Sequence, residues 1–316
     1  MPDMGPSRWA HPTVILVATD LSDLDRLMPF ALHQAQESEA RIILFHVLGT
    51  GSGIAADPVG MPYYDPAAAI DFAIKTLEPW RSMARSQAIP CDAVVREGHP
   101  AQQIIAGARQ FKTDRILLGT RSRSKVSKLL LGSVAEQVLR SVNLPVITVG
   151  PEAHLPVQSS ENRIVLLATT LRETSRPSAV LACELAAQLN AKLVLLHVLP
   201  AAHQMIHEGA PSDFEAAAAR QLEALAADAT ASCNPQIETL VLHGNPFIEI
   251  LAEATARNAT LIVLGTTHRS AFTDLMRDRT VYRVIAHARC PVLTLHEAQA
   301  VNESGAEYAG ASHSSR

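Results

Sequence analysis

The chain has 316 residues, of which 47% are apolar and 18% charged, a composition typical of a globular protein long enough for two domains. Its formal net charge is −4, so no general attraction to nucleic acid or to an anionic membrane follows from its charge. Residues 1–12 lack the apolar core of a signal peptide, and no stretch approaches the ~18 apolar residues of a membrane helix. We therefore expect a soluble, cytoplasmic protein.

The first half alternates short apolar runs with longer amphipathic segments. Val14–Thr19 is almost wholly apolar, which is typical of a strand buried on both faces. Residues 24–39 then place apolar side chains at the helical spacing of three and four. The later predicted elements are a strand at 42–48, a helix at 65–87, a strand at 93–96, a helix opened by Pro100, a strand at 116–119, a helix at 133–141 and a strand at 146–149. This alternation predicts a parallel sheet with right-handed crossovers.

The second half repeats the first, which is the strongest signal in the sequence. Segments match in the same order, at offsets that stay between 146 and 151 residues. The matched pairs are 14–20 with 164–170, 41–48 with 192–199, 97–100 with 243–246, 115–120 with 261–266, and 144–149 with 290–295.

The repeat predicts an α/β protein with two tandem doubly wound domains, each with about five parallel strands. We place the domains at residues 12–150 and 163–297. The stretch 150–162 contains Pro151, Pro156, Ser159 and Ser160, and we interpret it as a polar linker. The tail at 298–316 is rich in Ser, Ala, Gly and Glu, and we expect it to be disordered.

The four cysteines are Cys91, Cys183, Cys233 and Cys290. They contain no CxxC pair, and their spacing is not that of a zinc site or a dense disulfide framework. We predict isolated, reduced thiols, as expected in a reducing compartment.

The best candidate site follows the fourth strand of the first half, because open parallel sheets bind ligands at the carboxyl ends of their strands. Here Gly119-Thr120-Arg121-Ser122 is followed by nine residues and then by Gly132-Ser133-Val134, which opens a helix. A helix N-terminus attracts phosphate through unpaired N–H groups and a partial positive charge. Glycine lets a phosphate approach the backbone and permits a positive φ, and Ser133 adds a hydroxyl donor.

This pattern resembles the motif of the universal stress protein family, in which G-x-x-G is followed by nine residues and then by G-S or G-T. The resemblance covers both repeats and implies an adenine nucleotide alpha hydrolase-like fold. It implies ATP or AMP as the ligand, with Mg²⁺ as a possible companion. It also implies that Asp20, preceded by Ala18 and Thr19, lies near the adenosine, and that the Val47 backbone meets the adenine. Gly119, Thr120, Arg121, Ser122, Gly132, Ser133 and Val134 would surround the phosphates.

The chain departs from the family pattern in both halves. Ser122 replaces the second glycine, which costs about 1–2 kcal/mol if that position needs a positive φ, although its hydroxyl could contact a phosphate instead. In the second half, Asp278-Arg279 replaces the helix-opening Gly-Ser, and Thr170 replaces Asp20. A carboxylate that caps this helix would repel phosphate. We therefore expect the second half to have lost the site and to be mainly structural.

Three functions stay open at this point. The first is a stress-response regulator that binds ATP or AMP in the first half without dedicated catalysis. The second is a scaffold that binds no nucleotide, with Gly119 as a turn glycine and Gly132-Ser133 as a helix cap. The third is a slow ATPase. The sequence contains no GxxxxGK[ST], GxSxG or HExxH motif.

Several weaker signals have ordinary interpretations. His203 and His207 lie four residues apart, and we favour surface histidines over a metal site. His46 and His197 match between the repeats, which indicates a shared packing or hydrogen-bonding role. We expect a flexible loop from Gly49 to about residue 66, which could fold over the cleft, and a basic loop at 121–128.

The family resemblance also implies how the two halves associate. In the family, the last strands of two protomers can pair at a dimer interface. Here the last strands of the two repeats could pair within one chain and form a pseudo-dimer, and two chains could associate further as a homodimer.

Overall fold

A computed structural model describes residues 9–49, 54–56, 62–120, 131–153, 163–201, 213–231, 233–266 and 277–297. The side chains of 54–56, 62–64 and 277–279 lie outside this description. The predicted linker at 154–162, the tail at 298–316, His203 and His207 also lie outside the described residues.

The first half folds much as its alternation of apolar runs and amphipathic segments predicts. Its elements in chain order are β1 Val14–Thr19, α1 Leu24–Ser38, β2 Arg41–Leu48, β3 Ile54–Ala56, β4 Pro62–Tyr64, α2 Pro66–Ser86, β5 Cys91–Glu97, α3 Pro100–Gln110, β6 Arg115–Gly119, α4 Ser133–Ser141 and β7 Val146–Val149. Pro66 and Pro100 each lie in the first turn of a helix, where the missing N–H group costs nothing.

The second half repeats this order without a counterpart of β3 and β4 among its described residues. Its elements are β8 Ile164–Ala168, a short 3₁₀ helix Glu173–Ser175, α5 Arg176–Gln188, β9 Lys192–Leu199, α6 Asp213–Ala229, β10 Ile237–His243, α7 Pro246–Ala256, β11 Leu261–Thr266, α8 Arg277–His287 and β12 Val292–His296.

Ten of these strands form one continuous sheet within the described residues, in the order β10-β9-β8-β11-β12-β7-β6-β1-β2-β5. Every neighbouring pair is parallel except β7 and β12, which are antiparallel. Each half therefore contributes five parallel strands, as predicted. The remaining two, β3 and β4, form a separate antiparallel hairpin.

The junction between β7 and β12 has an approximate two-fold symmetry. Ile147 lies opposite Leu293, its own counterpart in the repeat. The flanking hydroxyls behave alike: Thr148 Oγ1 donates to the Val292 carbonyl at 3.1 Å, and Thr294 Oγ1 donates to the Val146 carbonyl at 3.2 Å. The predicted pairing of the two last strands within one chain is confirmed.

Apolar layers cover both faces of the sheet, because successive side chains of a strand point to opposite faces. All six residues of β1 are buried. Val17 packs in the layer that includes α1, α2, α5 and α6, and Leu16 packs in the layer that includes α3, α4, α7 and α8. Burial on both faces explains why the strands are continuous apolar runs.

The loop expected after Gly49 contains the β3–β4 hairpin, in which Ala55 lies opposite Tyr63. Pro62 is the first residue of β4, a position where a missing N–H group is tolerated. The sequence of this segment has no alternating pattern, so the expectation of an unstructured loop was wrong for these six residues. Whether the segment folds over the cleft stays a prediction.

The cysteine prediction was wrong for two of the four residues. Cys183 on α5 and Cys233 after α6 form a disulfide. The sequence separates them by 50 residues, and only the packing of α6 beside α5 brings them together. Cys91 and Cys290 are free, as predicted, and both are buried. Among the described helices, none has the length and apolar character needed to cross a membrane.

Candidate functional site

A cleft of about 240 Å³ opens at the carboxyl ends of β1, β2 and β6. The chain leaves β1 for α1 on one face of the sheet and leaves β6 for α4 on the other face. The two strands are neighbours, so the cleft lies at the topological switch point, where open α/β sheets bind ligands.

The cleft brings together most of the residues that the sequence singled out. The predicted site residues that line it are Ala18, Thr19, Asp20, Val47, Gly119, Thr120, Gly132, Ser133 and Val134. Arg121 and Ser122, with the rest of the basic loop, lie outside the described residues. The other lining residues are Asp23, Phe45, His46, Pro100, Ile104, Leu118 and Ala135, none of which was predicted.

The first turn of α4 faces this cleft without a side-chain cap among the described residues. Gly132 is the N-cap residue, with φ −63° and ψ 144°, and Ser133 beside it is exposed. The Gly132 N–H donates to the Thr120 carbonyl at 2.9 Å. A Cβ at Gly132 would lie 3.1 Å from the same oxygen. This glycine therefore permits a close approach of two backbone segments and does not have a positive φ.

Thr120 places an unpaired hydroxyl beside this helix start. Its side chain is only 1% exposed, and Oγ1 has no hydrogen-bond partner among the described residues. Its backbone N–H donates to the Val149 carbonyl at 3.3 Å, which fixes the residue at the end of β6. A buried hydroxyl without a partner costs about 1–3 kcal/mol. A ligand oxygen in the cleft would remove this penalty.

The turn after β1 holds Asp20 at the mouth of the cleft. Asp20 Oδ1 accepts from the Ser22 N–H at 2.9 Å and from Ser22 Oγ at 2.6 Å. Leu21 adopts a left-handed conformation with φ 72°, and its N–H donates to Thr19 Oγ1 at 2.9 Å. These bonds offset the cost of the left-handed residue and leave the exposed carboxylate in a defined position.

Asp23 is a cleft residue that sequence reasoning missed. It is 3% exposed, and its Oδ1 accepts from Thr19 Oγ1 at 2.6 Å. Burial raises the pKa of Asp23 to about 6, opposed in part by the Thr19 hydrogen bond. The available signal was an aspartate one residue before α1, which is the pattern of an ordinary N-cap. The carboxylate makes no cap and turns toward the cleft instead.

The position of Asp23 also explains the first glycine of the motif. A Cβ at Gly119 would overlap Asp23 Oδ2, so any larger residue would displace the buried carboxylate. Gly119 has no positive φ and is the last residue of β6. What the structure requires of Gly119 is its small size, because the Asp23 carboxylate lies against it.

The matched strand histidines have the hydrogen-bonding role that the repeat predicts. His46 Nδ1–H donates to the Thr19 carbonyl at 2.8 Å, and His197 Nδ1–H donates to the Thr169 carbonyl at 2.9 Å. The tautomer follows from the partner, since a carbonyl oxygen only accepts. Burial lowers the pKa of His46, so the ring is neutral near pH 7.

In the corresponding region of the second half, the counterpart of the Thr120 hydroxyl and a buried carboxylate both have hydrogen-bond partners within the protein. Thr266, the counterpart of Thr120, donates its hydroxyl to the Leu295 carbonyl at 3.3 Å. Buried Glu297 accepts from Ser178 Oγ at 2.8 Å and from Ser175 Oγ at 3.4 Å. A Cβ at Gly265 would overlap this carboxylate, as one at Gly119 would overlap Asp23.

The described part of the helix that follows β11 runs from Arg277 to His287. The Asp278 side chain lies outside the described residues, so the predicted carboxylate cap stays a prediction. Thr170 occupies the place of Asp20. Within the described part of the chain, no group of three His, Cys, Asp or Glu residues could hold a metal ion.

Comparisons with known proteins agree with this architecture. A universal stress protein of Archaeoglobus fulgidus has a solved structure that superposes with a TM-score of 0.68 at 22% identity, covering 90% of this chain and 98% of that one. A putative universal stress protein of Pseudomonas aeruginosa superposes with a TM-score of 0.60 at 16% identity, covering 91% and 94%. At these identities the likeness shows the fold.

Curated relatives match one half of the chain. A universal stress protein of Thermus aquaticus is 31% identical over 138 residues, which is 43% of this chain and 96% of the relative. One of Methanocaldococcus jannaschii is 28% identical over 141 residues, which is 43% of this chain and 80% of the relative. The model of the universal stress protein family matches residues 13–150 and again 161–296. The chain therefore belongs to the universal stress protein family and carries the family's domain twice.

Proposed function

We propose that the first-half cleft binds ATP or AMP, and that the protein is a cytoplasmic stress-response regulator without dedicated catalysis. The observation that carries this proposal is the Thr120 hydroxyl, which has no partner among the described residues, beside the first turn of α4, which has no side-chain cap among them. Both features are costs in the free protein that an anionic ligand removes.

The phosphates would lie at the start of α4. The N–H groups of Ser133, Val134 and Ala135 are in the first turn, which has no intrahelical acceptor for them. The helix dipole adds about half a positive charge at this end. Thr120 Oγ1 and Ser133 Oγ supply hydroxyl donors, and the basic residues of 121–128 are close in sequence to both.

The nucleoside would lie against the β1 and β2 ends of the cleft. Val47, Ile104, Leu118 and Val134 supply apolar surface for a planar base. Asp20 is exposed at the mouth, and a carboxylate there accepts hydrogen bonds from the ribose hydroxyls. Mg²⁺ would arrive on the phosphates of ATP, since the described side chains form no metal site of their own.

The same residues favour binding over turnover. His46, the histidine of the cleft, uses Nδ1–H on a backbone carbonyl and has a lowered pKa. Asp23 already accepts from Thr19 and lies beneath Gly119. The Thr19 hydroxyl that Asp23 holds also accepts from the Leu21 N–H, so this pair stabilises the turn after β1.

Calorimetric titration of ATP with magnesium, and separately of AMP, tests this proposal. We expect binding at one site per chain that weakens about tenfold in Thr120→Val, which keeps the side-chain shape and removes the hydroxyl. Thr266→Val is the matched control in the second half and leaves the affinity unchanged. The absence of binding at millimolar nucleotide would favour the scaffold. Phosphate release that Gly132→Asp abolishes would favour the slow ATPase.

A further inference from the structure

The disulfide joins two elements of the second half that are distant in sequence. Cys183 lies on α5 and is fully buried in the apolar layer, and Cys233 is half-buried after the end of α6. Their Cα atoms are 6.5 Å apart, within the range that disulfide geometry allows. The bond closes a 50-residue segment that contains β9 and α6.

The other two cysteines have a different environment. Burial raises the pKa of the Cys91 thiol to about 11 and that of the Cys290 thiol to about 12. Neither has a thiol partner, so both are poor nucleophiles inside the core. The chain therefore carries one pair of cysteines that can be oxidised to a disulfide and two buried thiols that should not react with an oxidant.

In the first half, the corresponding elements, α1 and the end of α2, are joined by a side-chain hydrogen bond instead of a disulfide. Gln36 Nε2 on α1 donates to Gln87 Oε1 at the end of α2, at 2.9 Å and a separation of 51 residues. Both side chains are exposed, and an exposed hydrogen bond contributes little to stability. A covalent bond between the corresponding elements is thus a property of the second half alone among the described residues.

We propose that Cys183 and Cys233 are a reversible oxidation site through which the second half responds to peroxides. This proposal rests on the cytoplasmic location proposed above, because in a reducing compartment a disulfide is transient and serves catalysis or redox sensing. The assignment does not depend on nucleotide binding, because all of the described residues that line the cleft belong to the first half.

The chemistry begins at Cys233, the more accessible of the two sulfurs. Its thiolate attacks one peroxide oxygen, the O–O bond breaks, and one water leaves as Cys233 becomes a sulfenic acid. The Cys183 thiol then attacks the Cys233 sulfur and expels the second water. Two thiols lose two electrons and two protons in total, and one hydrogen peroxide becomes two waters. An external dithiol restores both thiols by exchange.

Oxidation should stabilise the second half. The disulfide lowers the conformational entropy of the unfolded chain between Cys183 and Cys233, and this effect grows with the length of the closed segment. For a segment of this length we expect the oxidised protein to unfold about 5 °C or more above the reduced protein. Dithiothreitol should return the midpoint to that of the reduced protein.

The test uses the full chain, first reduced and then treated with hydrogen peroxide. We expect four alkylatable thiols per denatured chain before oxidation and two after it. Peptide mass spectrometry should find Cys183 linked to Cys233. Cys233→Ser should keep three thiols throughout and show no shift in midpoint. Cys91→Ala, the matched control, should fall from three thiols to one and keep the shift.

Three results would overturn the proposal. One is a count that stays at four thiols after peroxide. Another is a linkage that involves Cys91 or Cys290. The third is a bond that dithiothreitol cannot reduce in the folded protein, which would make it a permanent crosslink. ATP titration of both redox forms should give the same affinity, so a failure of nucleotide binding leaves this test intact.

Discussion

The two halves of this chain have the same arrangement of five parallel strands, but the polar side chains at the carboxyl ends of those strands are hydrogen-bonded differently. Thr120 has no partner for its hydroxyl among the described residues, whereas Thr266 donates to Leu295. Asp23 lies in an open cleft with one hydroxyl partner, whereas Glu297 is held by two serines. The comparison teaches that the two halves keep the same frame while the hydrogen bonding at its carboxyl edge differs, and we propose that this difference decides which half binds a ligand.

The frame itself is conserved in fine detail. Leu21 and Leu171 both have a positive φ, and both N–H groups bond to the threonine hydroxyl two residues earlier. Gly119 and Gly265 each leave room for a buried carboxylate, although the two carboxylates come from different positions in the chain. The two halves thus share these packing and turn features although the polar residues around them differ.

The largest effect, on ATP affinity, should come from replacing Gly132 by aspartate, the residue at the matching position 278 of the second half. Gly132→Asp places a carboxylate at the start of α4, where it caps the helix and repels phosphate. It also adds a Cβ 3.1 Å from the Thr120 carbonyl oxygen. We expect at least a hundredfold loss of ATP affinity by calorimetry. Asp278→Gly is the matched change in the second half and should not alter the affinity; an equal loss there would break the comparison.

The second effect is a pH dependence of the free energy of unfolding that is due to Asp23. Its folded pKa of about 6 lies above the ordinary value of 3.8, so the folded state binds more protons between these values. Stability should therefore fall as pH rises from about 4 to 6, by about 3 kcal/mol in all.

Asp23→Asn isolates this contribution, because His46 has a lowered pKa and acts in the opposite direction in both proteins. Urea unfolding at pH 4.5 and pH 7.5 should show the variant gaining stability relative to the parent chain at the higher pH. A difference that does not change with pH would mean that Asp23 keeps its ordinary pKa.

A smaller loss should follow from Gly119→Ala. Its new Cβ overlaps the buried Asp23 carboxylate, and overpacking of this kind costs about 2 kcal/mol. The double variant with Asp23→Gly should recover most of that loss in urea unfolding, since the overlapping group is gone. If the double variant is no more stable than Gly119→Ala, the contact with Asp23 is not the reason for this glycine.

The smallest loss of unfolding free energy should come from substitutions at the junction of β7 and β12, where the two halves are alike. Thr148→Val and Thr294→Val each remove one buried hydroxyl from the junction of β7 and β12. Each should cost about 1 kcal/mol of unfolding free energy. Denaturant titrations that give clearly unequal losses would contradict the two-fold symmetry of this junction.

The sequence predicts the frame well because its signals are local and repeated. Apolar runs such as Val14–Thr19 and prolines such as Pro100 indicate strands and helix starts without reference to the rest of the chain. The internal repeat indicates the number of domains, and the motif around Gly119 and Gly132 indicates the edge of the sheet at which the cleft opens.

What the sequence could not predict depends on contacts between distant segments. Asp23 has the sequence pattern of an N-cap, and only the position of Gly119 shows that it is a cleft residue. The Cys183–Cys233 bond needs the packing of two helices. Whether the hydroxyl of Thr120 or of Thr266 has a hydrogen-bond partner depends on the position of nearby backbone carbonyl groups, and no pattern of residues in the sequence indicates that position.

The number of nucleotide sites per chain tests the central claim most directly. Titration of ATP with magnesium into the full chain should give one site, lost in Gly132→Asp and kept in Asp278→Gly. Two equivalent sites per chain would contradict the account, because Thr266 and Glu297 would then have to release their internal partners to bind a second nucleotide.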